Sequence, residues 1–167
     1  MKVFVVRHSI PDDGDGDPWE PENDDPGLTD KGKELVESLA KWMQDADEIP
    51  AIIYASPTQR TQETAEILRD KLEIMPRVVT DIGIGPHMSI RGLVRQVAED
   101  KSIVRPLIVS HHESIEHGLR ELNRDPWVHL DMFAQGEMRI YKVDREDARW
   151  DEHNRVLPSD LGGEDHY

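Results

Sequence analysis

The sequence predicts an α/β fold: a three-layer α/β/α sandwich on a mainly parallel sheet. Three observations carry that prediction. Val3 to Val6, residues 51–56 (AIIYAS) and residues 106–111 (PLIVSH) are short, continuous apolar runs, the pattern of strands buried on both faces. Segments with helical periodicity lie between them. Strand and helix therefore alternate, which places helices over both faces of parallel strands.

The first strand is Val3 to Val6, ending on Arg7 and His8. Residues 12–27 (DDGDGDPWEPENDDPG) follow, rich in Asp, Gly and Pro, and read as a solvated loop. The spacing of Asp13, Asp15 and Asp17 resembles the start of a calcium-binding EF-hand loop. Pro18, however, stands where that loop needs glycine, and Asp24 where it needs a bidentate glutamate, so calcium binding is set aside. In LTDKGKELVESLAKWM, Leu35, Val36, Leu39, Ala40 and Met43 share one helical face, with Thr29 as N-cap. Residues 51–56 form the second strand, and PTQRTQETAEILRDKL a second helix through Ala65, Leu68 and Leu72. A short strand at Arg77 to Val79 and a helix through Ile90, Leu93, Val94 and Val97 lead to the strand at 106–111. HESIEHGLREL is helical through Ile115, Leu119 and Leu122, and EMRIYKVD, with Met138, Ile140 and Lys142 on one side, is a late strand at a sheet edge. The chain is expected to be one domain over residues 1–146, with 147–167 a tail that holds Trp150 but no periodicity and ends frayed.

The chain has 167 residues, about the size of one domain. Its 35 acidic and 20 basic side chains give a formal charge of −15, which repels nucleic acid and anionic lipid. With no cysteine, disulfides, thiolate metal sites and cysteine nucleophiles are excluded. The apolar start of the chain is too short for a signal peptide or membrane span, so a cytoplasmic protein with neither membrane nor nucleic-acid partner is expected.

In open parallel sheets the ligand crevice lies beyond the carboxyl ends of the strands. There the first strand delivers Arg7 and His8, the second Ser56, and the third Ser110 and His111. A buried strand is a rigid mount for its last residue, which catalysis by positioning requires. Guanidinium donors match phosphate oxygens, and a neutral imidazole is a nucleophile toward phosphorus, so covalent phosphoryl transfer is the chemistry these residues suggest.

The same residues carry a resemblance. VVRHS resembles the Arg-His signature of the histidine phosphatase superfamily, also called phosphoglycerate-mutase-like. GLTDKGKE (27–34) resembles its Leu-Thr-x-x-Gly element, YASPTQRTQETAEIL (54–68) its Ser-Pro-x-x-Arg-x-x-Gln-Thr-Ala helix start, and LIVSHHESI (107–115) its second histidine segment. These elements run in the family's order over residues 1 to about 122. The resemblance implies His8 as the nucleophile, Arg7 and Arg60 as the grip on phosphate oxygens, and His111 as the second pocket histidine; Ser9 and Ser56 are further candidates for phosphate hydrogen bonds. It implies neither metal nor other cofactor.

The family's glycine after the first histidine is Ser9 here, and its glycine pair after the second is His112 and Glu113. The glutamate that serves family esterases as general acid has no counterpart in TDIGIGPHMSIRG (80–92), leaving Asp81 and His87 as candidates. Only 45 residues separate Ala65 from His111, too few for a large helical insert, so the compact phosphohistidine phosphatase branch is the most similar. The expected substrate is a phosphohistidine protein or a small phosphomonoester. The alternatives are a phosphate- or phosphopeptide-binding module without turnover and a metal protein using His8, His111 and His112.

Overall fold

A computed structural model describes residues 1–12, 25–72, 77–79, 92–93, 96, 99–123, 131–146 and 150–167. Its strands are β1 (Lys2–Arg7), β2 (Ile52–Ala55), β3 (Arg77–Val79), β4 (Pro106–Ser110), β5 (Met138–Val143) and β6 (Trp150–Val156). The helices are α1 (Asp30–Asp45), α2 (Gln59–Lys71) and α3 (His112–Asn123), and a 3₁₀ turn spans Pro158–Leu161. Gly92, Leu93, Gln96 and Glu99 are helical, within the helix expected between β3 and β4.

Among the described residues the six strands form one sheet in the order β3-β2-β4-β1-β5-β6. β1, β2, β3 and β4 run parallel; β5 pairs antiparallel to β1, and β6 pairs antiparallel to β5, so it points the same way as β1. The continuous apolar runs serve two cores, as expected of a sheet covered on both faces. Phe4 and Val6 pack with Ile53, Ala55, Leu107 and Val109 beneath α1 and α2. Val3 and Val5 pack with Tyr54 and Ile108 against Ile115, Leu119 and Leu93. The result is the three-layer sandwich, without a large helical insert.

α1 buries the five apolar residues its periodicity singles out, and Thr29 caps it by accepting from the Gly32 amide at 3.0 Å. Gly32 is needed for close approach: a Cβ there would lie 2.6 Å from the Ile10 carbonyl oxygen.

Two expectations about the C-terminal part are corrected. β5 is not an edge strand, because β6 pairs along it. Nor is 147–167 simply a frayed tail: β6 and the 3₁₀ turn are formed, with Trp150 and Val156 buried. Periodicity missed β6 because only its ends reach the core, one to each side of the sheet, while Asp151, Glu152, His153 and Asn154 are exposed. Charged residues on a sheet edge also discourage further strand pairing. The loop compared with an EF-hand falls almost wholly in 13–24, outside the described residues.

Candidate active site

The parallel register brings the ends of three strands level. Arg7 lies opposite Ser110 on β4, and Ala55 opposite Val109. The amide of His8 donates to the Ser110 carbonyl at 3.0 Å, and that of Ser56 to the Val109 carbonyl at 3.1 Å. From the other side, the Gly136 amide reaches the Arg7 and His8 carbonyls at 3.2 and 3.1 Å. Gly136 has φ of 84°, a left-handed conformation that favours glycine, and a Cβ there would lie 2.8 Å from the Leu35 side chain. The backbone around His8 is thus fixed by β4 and by the turn preceding β5.

His8 is 6% exposed. Its Nδ1 lies 2.8 Å from the Ser9 carbonyl oxygen, which can only accept, so Nδ1 carries the proton and Nε2 the lone pair. Burial pushes the His8 imidazole down to about 3; the Ser9 carbonyl opposes that shift, and His111, Arg60 and Arg7 add to it. The ring is therefore neutral at physiological pH.

The His111 ring lies 5.2 Å from that of His8, edge-on at 62°. Arg60 Nη2 donates toward His111 Nδ1 at 3.4 Å, so His111 Nε2 carries the proton and donates to Thr58 Oγ1 at 3.2 Å. Burial, then Arg60, push His111 down to about 4, with Asp25 acting against them. Arg60 is one residue inside α2, and its Nη1 also faces Asp25 Oδ1 at 3.6 Å.

Arg7 donates through Nη1 to the Phe133 carbonyl, while its buried Nε has no hydrogen-bond partner among the described residues. Burial draws the guanidinium down from its ordinary value, and Glu113 and Glu137 act in the opposite sense. The residues around Phe133 are held from within the fold. Arg139 and Glu137 form a fully buried ion pair. Arg139 Nη2 donates to the Asp131 and Met132 carbonyls at 2.9 and 3.1 Å, and its guanidinium stacks on Phe133 at 3.7 Å. The other Glu137 oxygen accepts from the Ala134 amide at 2.7 Å.

His8, Arg7, Arg60 and His111, the four residues of the resemblance, are thus gathered at one edge of the sheet. The serines have other work. Ser9 Oγ donates to the Gly32 carbonyl at 2.9 Å, and Ser56 Oγ bonds Ser110 Oγ at 3.0 Å. Both serines are fully buried, so the expectation that they bond phosphate directly is corrected to one of supporting the strand ends. Asp81 and His87 lie outside the described residues. His112 pairs with Glu116 at 3.5 Å rather than with His8 or His111.

Sequence reasoning missed Thr58, Thr64 and the Glu137–Arg139 pair; it reached Asp25 only as the end of an acidic loop, Asp12 to Asp25, that could border the pocket and discourage highly anionic substrates by like-charge repulsion. Thr64 Oγ1 donates to the Arg60 carbonyl at 2.8 Å and accepts from the Ser9 amide at 3.3 Å, linking the segments that carry Arg60 and His8. Its signal was a hydroxyl on the buried face of α2 beside Ala65 and Leu68. The signal for Glu137 and Arg139 was opposite charges two apart at the start of β5, whose first four residues are buried. A hollow of about 160 Å³ between α1 and the C-terminal segment, lined by Ile10, Lys31, Leu35 and Leu161, contains none of the four central residues.

Residues 3–83 match the histidine phosphatase superfamily (branch 1). Over that stretch, which carries Arg7, His8 and Arg60, the chain is similar to this superfamily. The second histidine segment lies beyond the matched residues, and there the fold carries the likeness. The structure is similar to that of the protein histidine phosphatase SixA complexed with tungstate, with TM-score 0.79 and 18% identity over 96% of this chain and 99% of that one. SixA from Agrobacterium tumefaciens gives 0.74 and 17% over 95% and 98%. A mycobacterial glucosyl-3-phosphoglycerate phosphatase gives 0.67 and 17% over 91% and 96%. At these identities the likeness is one of fold. The sequence matches no curated protein. Among the described residues no helix is long and apolar enough to cross a membrane.

Proposed function

We propose that this protein is a histidine phosphatase, a metal-independent hydrolase in which His8 Nε2 takes the phosphoryl group. One observation carries the reading: the Nδ1 contact with the Ser9 carbonyl leaves the Nε2 lone pair of a neutral, buried imidazole beside His111, with Arg7 and Arg60 close enough to bias its protonation. The lone pair attacks phosphorus, the bond to the leaving group breaks, and the leaving group departs with its electron pair and takes up a proton. Water then attacks the phosphohistidine, releasing phosphate and regenerating the imidazole. Arg7 and Arg60 hold the phosphoryl oxygens, and His111 stabilises the charge that builds in the transition state.

Protonating an alkoxide is worth roughly 10² to 10⁴ in rate, whereas imidazole departs readily. The substrate is therefore a phosphohistidine protein or a small phosphomonoester, the former in keeping with the structural likeness to SixA. Rapid acid or alkali quench with ³²P-labelled substrate tests the reading. The expected label is acid-labile, alkali-stable and lost with turnover in His8→Ala; normal turnover in that variant overturns the proposal. Phosphate binding without hydrolysis of any substrate tried would identify a binding module instead.

A further inference from the structure

We propose that Asp25 is a charge-selecting residue: its carboxylate neutralises Arg60 in the free enzyme and disfavours substrates with a second anionic group close to the phosphoryl group. This rests on the pocket assignment above and specifies which substrates the pocket favours.

α2 begins at Gln59, and its N-cap residue, Thr58, makes no side-chain capping bond because its hydroxyl is turned to His111 and Thr61. The first amide of the helix is taken instead by Asp25 Oδ1, at 2.8 Å, from 34 positions earlier in the chain. The same oxygen lies 3.6 Å from Arg60 Nη1. Asp25 thus engages a helix-start amide and a guanidinium, two donors that also suit a phosphate. Its charge also acts on His111, against burial and Arg60. The side chain is 49% exposed, at the mouth of the site rather than beneath it.

Two effects of this carboxylate oppose each other. Holding Arg60 and the start of α2 in place helps phosphate bind; a negative charge beside a dianion hinders it. Replacing Asp25 by asparagine separates them, because the amide oxygen can still accept from Gln59 while the charge is gone. Asparagine is itself a good helix cap, so the positional loss is small. The Coulomb effect of one charge several ångströms from a dianion at a half-exposed site should amount to about three- to tenfold in affinity. The charge effect should therefore dominate, and the substitution should tighten binding.

The test is calorimetric titration of inorganic phosphate into the wild-type protein and Asp25→Asn, alongside hydrolysis of phenyl phosphate and 4-carboxyphenyl phosphate. The variant should bind phosphate about three- to tenfold more tightly at low salt, lose most of that gain at high salt, and raise the relative kcat/KM of the carboxylated substrate. Unchanged or weaker phosphate binding, or a gain that persists at high salt, overturns the proposal. Asp25→Ala, which removes cap and charge together, should also bind more tightly but melt lower; weaker binding in both variants would show that Asp25 positions Arg60 instead. If the wild-type protein itself bound no phosphate, both this proposal and the pocket assignment would fall. Tight binding without hydrolysis would remove the phosphatase reading and leave this one standing.

Discussion

Mild acid is expected to destabilise the fold through His8, and the size of the effect follows from its burial. In the unfolded chain His8 titrates near its ordinary 6.5; in the folded protein it is pushed down to about 3. The unfolded state therefore binds the extra proton between those values. Stability from this group is complete above the unfolded value and is lost as pH falls through the window toward 3. Going from about pH 7 to about pH 5, the linkage relation gives about 2 kcal/mol lost through His8 alone. His111, pushed down to about 4 in the same site, acts in the same direction, discounted for its partial exposure. Protonating the many carboxylates also changes stability, so the measurement is a difference of differences: urea unfolding of wild type and His8→Gln at both pH values. Wild type should lose about 2 kcal/mol more than the variant. Equal losses would mean that the folded protein accepts a proton on His8 as readily as the unfolded chain does. The neutral, buried nucleophile would then be wrong, whatever the activity.

Gly32→Ala forces a Cβ to within 2.6 Å of the Ile10 carbonyl oxygen and 3.1 Å of its nitrogen, backbone atoms that cannot swing aside. It should cost about 1–3 kcal/mol by thermal unfolding and lower kcat as well, because Ser9 bonds the Gly32 carbonyl. Arg139→Met should cost about 3 kcal/mol or more in urea unfolding by leaving Glu137 buried, even with Arg155 3.6 Å away; the double variant Glu137→Met/Arg139→Met should recover part of the loss. Vanadate at about 100 times its Kd should raise the unfolding free energy by about 2.7 kcal/mol. Arg60→Ala should abolish most of that shift, and an undiminished shift would place the anion elsewhere.

Three of the four residues of the proposed catalytic site, Arg7, His8 and His111, were legible because each stands at the end of a continuous apolar run. A continuous apolar run that ends on Arg7 and His8 says both that the strand is central and that its end is functional. Arg60 was different: only the resemblance placed it in the site, since a helical arginine reads as solvated until α2 is docked. Long-range partners left little trace. Asp25 caps a helix that begins 34 residues later, which no local pattern encodes. β6 escaped notice because its interior is charged, and Ser9 and Ser56 were misread because a hydroxyl at a strand end looks the same whether it faces the crevice or a neighbouring element. Residue type and position were readable, but the direction of a short polar side chain was not.

The site makes conflicting demands on one environment. An imidazole attacks only when neutral, which burial favours, whereas a guanidinium binds phosphate because it is charged, which burial opposes. The structure meets both by distributing acceptors unevenly. Arg7 receives the Phe133 carbonyl at contact and the fields of Glu113 and Glu137 from further away; Arg60 stays partly exposed, with Asp25 beside it. Among the described residues, His8 has the carbonyl of its neighbour as acceptor, which fixes the tautomer but is too weak to hold a charge against burial and two nearby guanidinium groups. On this view the buried Glu137–Arg139 pair is part of the catalytic design. It holds the turn that supplies the Phe133 carbonyl and keeps a carboxylate field near Arg7.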